Sequence, residues 1–370
     1  MGKVFDLEAE KISEQSKKEI CEACMDMAKT YLNFTEKQLK KFEKDLLIPN
    51  QKAENGPAKI LVIGSLNMDL AVEIDHIPEV GETILSRGFA TVPGGKGANQ
   101  ACAVGRLVGG CAFIGAVGND GYGKLLQESL HNFRVDTKGL IMKSEKATGM
   151  AVVMVNKEGN NSIVVVPGAN GGLTPEDIAG HRNLIEENDI LVMQLEIPLE
   201  TVLYAAKLAK SLGKTVILDP APVPEDFPEE LYQYIDIMKP NETELARLTG
   251  ISAKGTGYVR GAEFLRRKGV KNVLVTLGEK GAYLDSEKEG KAEIPACPVK
   301  AVDTTAAGDA FTAAVAAKLG EGAALREAAG FAARVSSIVV TRKGAQSSIP
   351  TMEEVNSRNV PETRSGEREV

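Results

Sequence analysis

Asp309 stands directly behind three small residues, Ala306, Ala307 and Gly308, and in front of the alanine-rich run AFTAAVAAKL. Small residues at a helix start leave its first backbone N–H groups unpaired and approachable, and an anion is stabilised there. An acid in a first turn also complements the helix dipole, which is the plain structural explanation. Proton abstraction beside a developing oxyanion would use the carboxylate and the amides together, so AAGD is the leading candidate for chemistry.

Two further stretches carry ligand-like spacing. VPGGKGANQA, residues 92–101, places three glycines and Lys96 in four consecutive positions, 94–97. It could cradle a phosphate, make a sharp turn, or let backbone touch another kind of ligand. In GSLNMDL, 64–70, Asn67 and Asp69 fall just past the apolar run KILVIG, at the strand ends where open α/β sheets bind ligands. Two polar side chains two apart can face the same way and hold adjacent hydroxyls, although an ordinary turn uses the same residues.

Other patterns fail on inspection. GNDGYGKL, 118–125, satisfies GxxxxGK but has Leu125 where a P-loop needs Ser or Thr. No GxGxxG follows KILVIG, so a dinucleotide fold is disfavoured. His76, His131 and His181 lie far apart with no metal spacing and read as solvated residues. Cys21 and Cys24 form a CxxC with no second CxxC nearby and no histidine before His76, so they read as two small apolar residues on a helix.

The elements that would position these residues follow from periodicity. Short β-branched runs (KILVIG, AFIGAVG, DILVMQ, TVILDP, DIMKP, NVLVTLG) alternate with alanine-rich helical segments. Near-continuous apolar strands with helices between them imply a mainly parallel sheet buried on both faces in a three-layer α/β/α domain. Residues 70–93 and 149–170 break the rhythm; the second is a hairpin turning at KEGNN, and both are expected in a small antiparallel sheet forming a lid. Residues 1–57 read as an α-helical extension with linker, with Thr35 and Gln38 at capping-box spacing before an apolar stripe of Leu39, Phe42 and Leu46. The main domain is expected over 58–352, followed by a polar tail, 353–370.

Composition narrows the function classes. The 370 residues carry a formal net charge of -7, without the basic excess that nucleic-acid binding needs. No apolar run suits a signal peptide or a membrane span, and the five scattered cysteines do not suggest a disulfide framework. A cytoplasmic protein with reduced thiols is expected.

DTTAAGDAFTAA, PGGKGANQA and GSLNMDL together, in the family's order, resemble the ribokinase family of sugar kinases, the phosphofructokinase-B type, from about Lys59 to about Met352. The resemblance implies ATP-dependent phosphorylation of the 5-hydroxyl of D-ribose. It makes Asp309 the general base and the backbone N–H groups of Ala306, Ala307, Gly308 and Asp309 the anion hole. Asn67, Asp69, Gly95, Lys96, Asn99 and Glu196 would contact the sugar. Asn241, Thr276, Gly278, Lys280, Gly308 and Ala333 would line the nucleotide site, Ala333 lying where relatives often carry a polar residue. Glu244 would be linked to Mg2+. A K+ ion would be held by Asp303 and Thr305, the backbone of Val339, Arg342 and Gly344, and the Ser348 hydroxyl. GNDGYG would be the family's GxDxxG element. A homodimer formed through the lid sheet is implied as well. Open alternatives are the same chemistry on 2-deoxyribose, fructose or a nucleoside, or an inactive sugar-sensing regulator.

Overall fold

The computed structural model describes residues 59–357 apart from Gly159. The extension expected over 1–57, with its CxxC and capping box, and the tail beyond 357 lie outside the described residues. Thirteen strands are described: β1 (Ile60–Ile63), β2 (Asn67–Glu73), β3 (Gly88–Gly94), β4 (Cys111–Gly118), β5 (Val135–Lys143), β6 (Gly149–Val155), β7 (Asn161–Val166), β8 (Ile190–Met193), β9 (Thr215–Leu218), β10 (Ile237–Met238), β11 (Asn272–Thr276), β12 (Ala282–Ser286) and β13 (Gly290–Ile294). The described helices are α1 (Lys96–Val108), α2 (Gly121–Asn132), α3 (Pro175–Gly180), α4 (Arg182–Glu186), α5 (Leu199–Ser211), α6 (Glu242–Thr249), α7 (Gly257–Arg267), α8 (Ala307–Gly320), α9 (Leu325–Val339) and α10 (Met352–Ser357).

Nine strands form one sheet in the order β13-β12-β11-β10-β9-β8-β1-β4-β5. It is parallel from β5 to β11 and antiparallel only at β12 and β13. β1 shows why its sequence is continuously apolar. Ile60 and Val62 enter the core on one face, Leu61 and Ile63 the core on the other, and all four are buried. Helices α1, α8 and α9 cover the first face, and α5 and α7 the second. The resulting three layers match the expected α/β/α class.

α8 is apolar nearly all round because α1 and α9 both pack against it. Its buried Ala310, Ala313, Ala314 and Ala317 let those neighbours come close. α10 buries Val355 in the same core, so the packed body extends past residue 352 and takes in the first residues of the expected tail.

The second sheet has the order β3-β2-β6-β7. It is mixed rather than antiparallel, since β2 and β6 pair in parallel. The reason is topological: β2 leaves the end of β1 and β6 the end of β5, and those parallel strands send both chains outward in one direction. Its first two strands extend beyond 70–93 at both ends, with Asn67 paired to Gly94. The second hairpin turns where expected, with Asn156 N–H donating to the Asn160 carbonyl at 2.9 Å.

Strands β5, β12 and β13 were not among the apolar runs. β5 and β13 are sheet edges with polar residues on their open sides, which removes the continuous apolar signal.

Candidate functional site

The candidate residues gather at the C-terminal ends of the parallel strands, beside the first turns of α1, α6 and α8. α8 begins behind Ala306, which takes the left-handed conformation at φ 59°. Ala307 N–H donates to the Thr304 carbonyl at 3.2 Å. The Ala306, Gly308 and Asp309 amides have no acceptor among the described residues. The expected four-amide anion hole is therefore three open amides with Ala307 turned to Thr304. Gly308 is exposed and Asp309 buried, so the first turn faces an open side and an enclosed side at once.

Asp309 is held by two amides from consecutive residues of α1. Asn99 Nδ2 donates to Oδ2 at 3.0 Å and Gln100 Nε2 to Oδ1 at 3.1 Å. Asn99 is fixed in turn by Gln346 Nε2, at 3.3 Å from its Oδ1, and Ser129 Oγ donates to Gln346 Oε1 at 2.7 Å. Each carboxylate oxygen thus accepts from one amide donor, which fixes the plane of the carboxylate.

Asn67 and Asp69 sit on β2 itself, on the lid, rather than in a turn beyond β1. Asn170 decides how Asn67 presents itself. Its Oδ1 accepts from Leu66 N–H and its Nδ2 donates to the Leu66 carbonyl, both at 2.9 Å, so backbone chemistry fixes its amide orientation. The same nitrogen donates to Asn67 Oδ1 at 2.8 Å, which leaves the Asn67 Nδ2 as the group available to a ligand.

Asp69 lies over Gly94, where a Cβ would meet its Oδ2 at 2.1 Å. Burial, together with the charges of Glu196 and Asp309, pushes the Asp69 carboxyl up to about 7.

The GGKG stretch works largely through backbone. Gly95 has φ +88°, and a Cβ there would lie 2.6 Å from Asn67 N. A Cβ on Gly97 would lie 2.5 Å from Ser65 N. These glycines let α1 start against the β1–β2 connection.

Lys96 N–H donates to Glu196 Oε2 at 3.1 Å, and Ser65 Oγ donates to the same oxygen at 2.6 Å. Burial opposes charge on the Lys96 ammonium. The carboxylates of Asp309, Asp219, Glu196 and Glu244 outweigh it and hold the ammonium above the ordinary lysine range. Burial also pushes the Glu196 carboxyl up, against its bond from Ser65 and the charge of Lys96.

On the exposed side, Asn241 and Thr276 are joined by a parallel bridge, and Thr276 N–H donates to the Pro240 carbonyl at 3.0 Å. Gly278, at φ 58°, and Lys280 bound an exposed 3₁₀ turn after β11. Asn241 and Glu244 form a reciprocal capping box at the start of α6, with Asn241 N–H and Nδ2 each 2.8 Å from a Glu244 oxygen. Ala333 is buried on α9, one turn before Ser336, whose hydroxyl donates to the Ala307 carbonyl at 3.0 Å.

The loop residues 303–305 and 342–348 come together through Asp303. Its Oδ1 accepts from Thr305 N–H (2.9 Å) and Oγ1 (2.6 Å), and its Oδ2 from Gly344 N–H (2.9 Å). Burial raises this carboxyl, and the bonds from Thr305 and Gly344 bring it below its ordinary value. Ser348 is buried and donates to the Ala345 carbonyl at 2.6 Å. Arg342 turns its side chain to Glu354 at 2.8 Å, leaving only its backbone near this loop.

Gln100, Gln194, Asp219 and Lys239 also belong to the site, though nothing in the motifs singled them out. Gln194 Nε2 donates to Gln100 Oε1 at 2.7 Å, and Gln100 Nε2 reaches Asp219 Oδ2 at 3.0 Å. A usable sequence signal existed: Gln194, Asp219 and Lys239 each directly follow a buried strand, where a polar residue is unusual unless the strand end is used. GNDGYG proves structural, as Asp120 caps α2 through Gly123 N–H and accepts from Thr148 N–H, both at 2.8 Å. The histidines stand outside the site, His76 beside Glu82 and His131 beside Thr137 on the surface, and His181 on the Asp177 carbonyl.

A family model described as pfkB family carbohydrate kinase matches residues 57–352. A ribokinase of Haemophilus influenzae is 40% identical, over 80% of this chain and 96% of its own. A ribokinase of Staphylococcus aureus is 38% identical, over 80% of this chain and 98% of its own. The structure of Arabidopsis thaliana ribokinase complexed with ribose and ATP aligns with a TM-score of 0.77 at 38% identity, covering 81% of this chain and 98% of that one.

Proposed function

The chain belongs to the pfkB family of carbohydrate kinases, and from that premise we propose that it transfers the γ-phosphoryl group of ATP to the 5-hydroxyl of D-ribose. The observation that carries this reading is the position of Asp309. Its carboxylate is buried, held by two amide donors, and continuous with open backbone amides at the start of a helix.

Asp309 would take the proton of the attacking hydroxyl. The Gly308 and Asp309 amides would receive the charge of the group in transit, the positioning and charge stabilisation on which phosphoryl transfer depends. Asn67 would donate to one sugar hydroxyl while Asp69 accepts from another, with Lys96, Asn99, Glu196 and the Gly95 backbone closing the cleft. Asn241, Thr276, Gly278, Lys280, Gly308 and Ala333 would line the nucleotide on the exposed side.

Mg2+ would arrive with the nucleotide. Among the described residues no cluster of three or more acidic, histidine or cysteine ligands could cage a metal, which fits an ion held mainly by phosphates with one nearby carboxylate, Glu244. When bound there, Mg2+ would supply charge neutralisation to the transferred group.

For K+, Asp303, the Thr305 and Ser348 hydroxyls and the backbone carbonyls of Val339, Arg342 and Gly344 would supply an all-oxygen set, the chemistry a hard cation needs. Such an ion would hold the loop before α8 in shape. The uncovered lid sheet supports a homodimer. Cys102 and Cys111 are buried free thiols, the state that a reducing cytoplasm would maintain.

The test is ADP release on mixing the protein with ATP, Mg2+ and K+ and a panel of D-ribose, 2-deoxyribose, fructose and nucleosides. Highest kcat/KM on ribose is expected. Preference for another sugar, or ribose binding without turnover, would replace the reading with kinase activity on that sugar or with a sensor. Equal rates in Na+ and K+ would remove the K+ assignment alone.

A further inference from the structure

Asp219 and Lys239 directly follow β9 and β10 and form an ion pair, Nζ to Oδ2 3.0 Å, with side chains 1% and 5% exposed. A buried pair is a poor device for stability, because desolvating both charges offsets much of their attraction and an apolar pair could fill the space. Its neighbours point to another use. Gln100 Nε2 donates to Asp219 Oδ2 at 3.0 Å and to Asp309 Oδ1 at 3.1 Å. The Lys239 ammonium also reaches the Gly308 carbonyl at 3.4 Å, and a Cβ built on Gly308 would lie 3.3 Å from it. The Gln100 amide has one possible orientation: its nitrogen faces two carboxylates that only accept, and its oxygen takes the hydrogen of Gln194 Nε2.

We propose that Lys239 and Asp219 are a positioning pair for phosphoryl transfer. Through Gln100 they orient the Asp309 carboxylate. The inference rests on the kinase reading, with Asp309 as base. Without the ammonium, Asp219 would stand as a second uncompensated carboxylate one amide away from Asp309, competing with it for Gln100 and repelling it. Neutralising both partners removes that conflict while leaving an acceptor for Gln100.

The experiment compares full-length wild type with Lys239→Met and with the double variant Asp219→Asn/Lys239→Met, reading kcat by ADP release with ribose and ribose affinity by calorimetry. Lys239→Met should lower kcat by about 10- to 100-fold, the size of effect seen when a reacting group is misplaced, with ribose affinity unchanged. The double variant should regain most of that loss. Wild-type kcat in Lys239→Met, a double variant as slow as the single one, or a fall in kcat matched by a fall in ribose affinity each overturns the proposal. If the lysine variant does not fold, Gln100→Leu keeps the ion pair and carries the same expectation of lower kcat with retained ribose binding; wild-type kcat there overturns it. A wild type inactive on every sugar sinks the kinase reading and this inference with it. That result is separable, since the variants are judged only against an active wild type.

Discussion

Asp309 and Asp69 lie close together but have different surroundings. Asp309 is surrounded by donors, whereas Asp69 is raised to about 7 by burial first and by neighbouring carboxylates second. Asp309→Asn should lower kcat by roughly 10²- to 10⁴-fold, the usual contribution of a general base, while ribose still binds. Near-normal turnover would remove it from the base role.

The folded pKa of Asp69 lies above the ordinary 3.8, so the stability it contributes is complete below 3.8 and is lost as pH rises through about 7. A sugar that donates hydroxyls to Asp69 favours the carboxylate. Binding near pH 6.5 should therefore release protons, seen as a heat that depends on buffer ionisation enthalpy. Asp69→Asn should abolish that release and flatten the loss of melting temperature towards neutral pH.

At the scale of elements, the site depends on α1 starting against the β1–β2 connection. Gly95→Ala puts a Cβ 2.6 Å from Asn67 N at a φ of +88°, so strand β2 or the helix start must shift. A loss of about 1–3 kcal/mol is expected from the backbone strain alone, measured as a lower denaturation midpoint. The KM for ribose should rise more than that for ATP, because Asn67 is displaced while β10 and β11 are untouched. Equal rises would mean that the loop serves the nucleotide. The capping box of Asn241 and Glu244 shows how local structure can account for a motif on its own. Without neighbouring Lys96, Asp219 and Lys239, it would be an ordinary helix start.

At the scale of the molecule, the lid sheet presents an unfinished surface. β7 is an edge strand whose Ile163, Val164, Val165 and Val166 are all exposed, so both of its faces and its hydrogen-bonding edge are uncovered. Phe89 on the opposite edge strand β3 is exposed as well. Such edges are normally covered or blunted by charge. With the lid pairing two copies, Val164→Glu should shift sedimentation from dimer to monomer. A wild-type protein that sediments as a monomer at micromolar concentration would overturn the dimer. Among the described residues no helix is long and apolar enough to cross a membrane.

Much of this protein was legible in the order of residues. Parallel strands buried on both faces must be continuously apolar, and helix starts and glycine turns have local chemistry, so the layers, AAGD, GGKG and the Asn67–Asp69 pair could be read from the chain. Contacts between distant segments could not. Gln100, Gln194, Asp219 and Lys239 look unremarkable in sequence and meet only because β8, β9 and β10 end side by side against α1 and α8. Asn170 meets Asn67 across more than a hundred residues. The parallel β2–β6 pairing likewise follows from where β1 and β5 release the chain. Residue types therefore determined which groups could react. The tertiary structure decided which were oriented, charged and brought together, because hydrogen bonding and desolvation act through space and not along the chain.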